Sequence, residues 1–167
     1  MTAILFFKIV GAFCIVFCGW SIGNQKVVHL RKKATLISDL LHLLELLCAN
    51  FTYVNLALPQ FFEKASETEF ALLSFPSEIP DFAIWKNEFS EMPVFDSLFS
   101  PEEKNAFLDY WQALGSTGPE EELDRLAFYR EKLHLSLSAA QEQSRTYGRM
   151  YRNLGASLAA IIAVLLL

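Results

Sequence analysis

Two apolar runs bracket the chain, and between them the apolar positions fall into a helical period. Residues 3–23 are apolar apart from Lys8 and Ser21, and from Leu154 to Leu167 only Ser157 interrupts fourteen uncharged positions. A globular helix keeps a polar stripe at a period of about 3.6 residues. Runs without one predict membrane spans. The second is short against the roughly 20 residues that a hydrocarbon core requires, but starting at Met150, with Arg149 and Arg152 snorkelling, lengthens it. The pattern predicts transmembrane helices over 3–23 and 150–167 and a domain over 26–147.

Inside that domain the pattern predicts helices almost throughout. Leu36, Leu40, Leu44, Leu47, Cys48 and Phe51 recur at helical spacing, with Asp39, His42 and Glu45 among the polar positions. Pro59 opens a short helix, and Pro76, Pro80 and Pro93 cut the next stretch into pieces, one carrying Trp85 and Phe89 a turn apart. In "SPEE", Ser100 caps a helix, Pro101 takes its first position and Glu103 reaches back to close a capping box. That helix presents Phe107, Tyr110, Trp111 and Leu114 and stops at Gly115.

A long helix starts at Pro119, with Glu120, Glu121 and Glu122 on the positive end of its dipole. Its seam runs Leu123, Leu126, Arg130, Leu133, Leu137, Ala140, Ser144, Tyr147, Tyr151, Leu154. Only Gly148 and Gly155 separate it from the second apolar run. At about 1.5 Å per residue it would be roughly 70 Å long, more than one small domain can bury. The fold class is all-α: a helical-bundle cytoplasmic domain flanked by N- and C-terminal transmembrane helices.

Charge sets the expected topology. All 19 acidic residues lie between Asp39 and Glu142 with six basic ones, a net −13 for that stretch. Seven basic residues adjoin the inner ends of the spans: Lys26, Arg31, Lys32, Lys33, Arg145, Arg149 and Arg152. The positive-inside bias then puts the middle in the cytoplasm and both termini on the far side of the bilayer. An overall charge of −5 argues against a general nucleic-acid binder. Lys8 also suits the basic start of a cleaved leader. With no small-x-small cleavage site beside a clean flank, we expect an uncleaved span, while a small exported protein remains the alternative.

Catalytic equipment is sparse. Cys14 and Cys18 fall in the first span and read as packing residues, Cys48 sits on the core stripe, and no C-x-x-C occurs. His29, His42 and His134 lack metal-ligand spacing, and no phosphate loop, nucleophile elbow or H-E-x-x-H is present. An intramembrane enzyme needs ionisable groups inside its spans, and Lys8 sits only at an edge. We expect no catalytic site, metal, cofactor or small-molecule substrate.

"KIVGAFCIVFCGWSIG", "LHLLELL", "LALPQFFEKAS", "FLDYWQALGST" and above all "YGRMYRNLGASLAAIIAVLLL" resemble the stage III sporulation protein AB family of endospore-forming bacteria. The resemblance spans nearly the whole chain. Thr117 and Gly118 stand where that family usually has an acidic residue. It implies a multi-pass protein of the mother cell's outer forespore membrane, a non-enzymatic platform in the channel-like complex between mother cell and forespore. It also implies a cytoplasmic domain similar to the type II secretion F domain, and a secretion-type ATPase, stage III sporulation protein AA, as partner. A platform subunit of a type II secretion or type IV pilus-like machine outside sporulation is the alternative. We expect such an ATPase to dock on Glu120, Glu121, Glu122 and Asp124, with Phe128 or Tyr129 as aromatic anchor.

Overall fold

Prolines and side-chain caps set most of the helix starts in the computed structural model. It describes the backbone of residues 2–166 and the side chains of residues 24–151, with those of Asn153, Leu154 and Ser157. Helix α1 covers Thr2–Ala49 and passes into a π-helical turn, Asn50–Val54. Then come α2 (Leu58–Ala65), α3 (Phe82–Ser90), α4 (Pro93–Leu98), α5 (Pro101–Ala113) and α6 (Pro119–Leu166). No strand occurs among the described residues. Proline occupies the first turn of α2, α4 and α5, where its missing N–H has no helical partner to lose. Asp81 caps α3 by accepting from the N–H groups of Ala83 and Ile84. The capping box at Ser100 and Glu103 is complete.

The chain divides into two compact units, residues 32–139, and residues 1–31 with 140–167. In the first, α1 contributes Leu36, Ile37, Leu40, Leu43, Leu44 and Leu47, each at most 3 % exposed. An aromatic cluster fills the rest. Phe62 of α2 lies 4.8 Å from Trp85 and 5.5 Å from Trp111 between ring centroids. Phe89 lies 4.6 Å from Trp111, and Phe95 4.5 Å from Phe107. Buried Trp111 keeps its indole N–H satisfied by donating to the Lys86 carbonyl at 2.8 Å.

Side chains also fix the irregular connections. Asn50, almost fully buried, holds Leu56 on both sides: its amide donates to the Leu56 carbonyl and its oxygen accepts from the Leu56 N–H. Asn55 between them is left-handed, at φ 54°, a conformation asparagine tolerates better than most residues. The segment between α2 and α3 is tied down by carboxylates. Asp39 accepts from the N–H groups of Leu72 and Leu73, and Glu63 from that of Ile79.

The seam expected on the long helix requires a correction. Leu126, Leu133 and Ala140 are buried as expected, but Arg130 is exposed and Leu123 and Leu137 are only half-buried. Glu122 and Tyr129 take the inward positions instead. The stripe is rotated by one residue at alternate turns. A guanidinium at position 130 would lose its hydration in the core, whereas Tyr129 stacks on Tyr110 at 4.7 Å.

Among the described residues, Asn24–Val54 is helix long and apolar enough to cross a membrane, and 44 % of its apolar window is buried inside the protein. Its leucines from Leu36 onward belong to or pack against the core, which accounts for much of that apolarity. The spans expected over 3–23 and 150–167, with Cys14, Cys18 and Arg152, lie almost wholly outside the described side chains.

Candidate partner-binding surface

Consecutive residues on a helix project about 100° apart, so the three glutamates that open α6 do not share one environment. Glu120, Glu121 and Asp124 are exposed, and Phe128 is 65 % exposed beneath the Lys132 ammonium, 5.2 Å from its ring centroid. Glu122 is 1 % exposed and Tyr129 6 %. These two are corrections to the expected docking set. Position 122 lies four residues before Leu126, and 129 four before Leu133, which turns both inward. The surface that remains is Glu120, Glu121, Asp124 and Phe128.

Glu122 instead closes the turn between α5 and α6. One carboxylate oxygen accepts from the Gly115 N–H at 2.9 Å and from the Thr117 hydroxyl at 3.0 Å, with an Arg125 nitrogen 3.7 Å away. The carbonyl end of α5 beside it meets two cations. Lys86 donates to the carbonyls of Gln112 and Leu114, and Arg125 to that of Ala113. Cations there complement the negative end of the helix dipole. Burial pushes the Lys86 ammonium down from its ordinary value, and the Glu122 charge opposes that. Burial pushes the Tyr110 phenol far up, with the Glu122 charge adding to it.

Glu103 performs a similar task across three helices. It accepts from Lys33 of α1 at 2.6 Å, from Ser136 of α6 at 2.5 Å and from the Ser100 N–H. Burial alone would raise its carboxyl, but the hydrogen bonds from Lys33, Ser136 and Ser100 and the charge of Lys33 outweigh it and hold the group at about 2. Lys33, counted among the topology cations, is therefore a partner of the folded unit. Lys26, Lys32, Arg31, Arg145 and Arg149 are exposed.

No group of three metal-ligating side chains occurs among the described residues. Asn50, Ser90 and Glu122 use their buried polar groups at turns and helix ends, while the Tyr110 hydroxyl and the second Glu122 carboxylate oxygen are buried without a hydrogen-bond partner among the described residues. Fold and composition together define an acidic, all-helical protein. A family model, stage III sporulation protein AB, matches residues 8–167. The chain belongs to that family and is a sporulation-related protein. No curated protein and no solved structure matches it.

Proposed function

We propose that this chain is a non-enzymatic, membrane-anchored platform or adaptor subunit of the secretion-like channel complex between mother cell and forespore. In this reading its middle domain is cytoplasmic and docks a secretion-type ATPase resembling stage III sporulation protein AA. Family membership supports the sporulation setting, and the two apolar runs flanked by basic residues support the membrane anchor. The observation that carries the docking surface is Phe128, 65 % exposed on the same helix end as three exposed carboxylates. An exposed aromatic ring within a charged rim suits an interface anchor. The exposed carboxylates of Glu120, Glu121 and Asp124 select a basic partner surface and speed encounter.

The test is binding of the full-length protein in mild detergent to the ATPase at increasing salt. Wild type should lose association rate as salt rises. Glu120→Gln with Glu121→Gln should lower that rate at low salt, and Phe128→Ala should weaken affinity by about tenfold or more, as anchor truncations do. Glu122 stays unchanged throughout because it holds the turn. Identical binding by all variants would remove this surface from the proposal.

A further inference from the structure

Within the unit formed by residues 1–31 and 140–167, a groove of about 590 Å³ is lined by Gln25, Lys26, His29 and Leu30 of α1 and by Gln143 and Tyr147 of α6. Its polar lining is rich in donors: an ammonium, two side-chain amides, an imidazole and a phenol. No carboxylate lines it. Residues 24–38 and 143–152 contain no acidic residue at all, and the nearest on either helix is Glu142, exposed. Lys26 makes no ion pair among the described residues, and its ammonium lies 6.0 Å from the Tyr147 ring centroid, the outer limit of a cation–π contact. Its charge is thus available to an anion.

The depth of the groove narrows the choice of anion. Lys26 and His29 follow residue 23 by three and six positions, and Tyr147 and Gln143 precede residue 150 by three and seven. At about 1.5 Å per residue the lining lies roughly 5 to 10 Å beyond the apolar runs. The headgroup layer adds roughly 5 to 8 Å to each face of the hydrocarbon core, so the two coincide. The volume also lies within the usual range for small-molecule sites.

We infer that this groove binds the phosphodiester headgroup of an anionic phospholipid from the surrounding leaflet. Lys26 pairs the phosphate, and the Gln25 and Gln143 amides and the Tyr147 hydroxyl donate to phosphate and glycerol oxygens. The inference rests on the membrane-anchored reading above.

The experiment is native mass spectrometry of the full-length protein in mild detergent. It compares phosphatidylglycerol with phosphatidylcholine of the same chains, and glycerol 3-phosphate as the soluble source of the same phosphate. Wild type should retain phosphatidylglycerol over phosphatidylcholine by about fivefold or more, the factor expected for one basic residue at an anionic surface. Lys26→Gln should abolish that preference and Lys26→Arg keep it, with glycerol 3-phosphate neither binding nor competing. Equal retention of the two lipids, an unchanged preference in Lys26→Gln, or tight binding of glycerol 3-phosphate would each overturn the inference. Carbonate washing of membranes from the same cells separates the two readings. Release of the protein defeats the membrane anchor itself, whereas an integral protein without lipid preference defeats the groove alone.

Discussion

The Glu122 carboxylate accepts a 2.9 Å hydrogen bond from the backbone N–H of Gly115, across the turn that joins α5 to α6. The same oxygen takes the Thr117 hydroxyl, while Lys86 and Arg125 cover the carbonyl end of α5. A turn closed in this way sets where α6 begins and which of its faces meets the core. It also leaves Glu120, Glu121 and Asp124 on the outside as a separate acidic surface.

Glu122→Ala should destabilise the protein by about 1 to 3 kcal/mol, because two donors lose a buried acceptor and two partly exposed cations lose their counter-charge. Glu120→Gln and Glu121→Gln should stay within about 0.5 kcal/mol of wild type. Urea unfolding of the three variants distinguishes the roles. A harmless Glu122→Ala would mean that the turn is held by something else.

Glu103 supplies an acid-sensitive element. Its folded value of about 2 lies below the ordinary 4.5, so its contribution is fully present above the unfolded value and is lost as pH falls from about 5 towards 2. We expect about 1 to 2 kcal/mol from it, less than the full shift implies because the pair is partly solvated. Urea midpoints at pH 7 and pH 3 should therefore differ less in Glu103→Gln than in wild type. An equal acid loss in both proteins would assign it to other carboxylates.

Gly115 has φ +82°, and a Cβ added there would meet Leu58 Cδ1 at 2.5 Å. Gly115→Ala should cost about 1 to 3 kcal/mol from backbone strain and the displaced leucine. Gly118 faces open space and carries no such constraint. Gly118→Ala should stay within about 1 kcal/mol of wild type, because the unfolded-state entropy it removes is offset by the poorer N-cap that alanine makes before Pro119. Thermal melts that ranked the two the other way would contradict the turn geometry.

The rotated stripe on α6 has its own test. Leu133→Ala removes a 5 % exposed side chain and should cost about 2 to 5 kcal/mol, as should Leu44→Ala in α1 at 3 % exposure. Leu135→Ala, at 65 % exposure, should change stability by no more than about 0.5 kcal/mol. Denaturant midpoints that fell equally for Leu133→Ala and Leu135→Ala would place the inward face elsewhere.

Reporter fusions test the membrane arrangement expected from the basic residues at the inner ends of the apolar runs. Fusions at either terminus should report as extracytoplasmic, and an insertion near Pro76 as cytoplasmic. Neutralising Arg145, Arg149 and Arg152 together should weaken that orientation. A cytoplasmic reporter at the C-terminus would refute the hairpin topology.

Local chemistry made much of the fold readable in advance. Pro59, Pro93, Pro101 and Pro119 start helices because their rings suit only a first turn, and Ser100 with Glu103 closes a box within four residues. The Leu36, Leu40, Leu44, Leu47 stripe keeps one helical face, and all four are buried. The character of the three glutamates was not readable in this way, since a charge run at a helix start looks solvated until its neighbours are placed. Only tertiary structure folded the Gly115 and Thr117 donors back onto Glu122, joined Lys33 and Ser136 to Glu103 from helices 70 and 33 residues away in sequence, and turned Tyr129 rather than Arg130 inward. Those partners lie on other turns and helices, and the periodicity of one segment carries no information about which groups the packing of the others will bring within hydrogen-bonding reach.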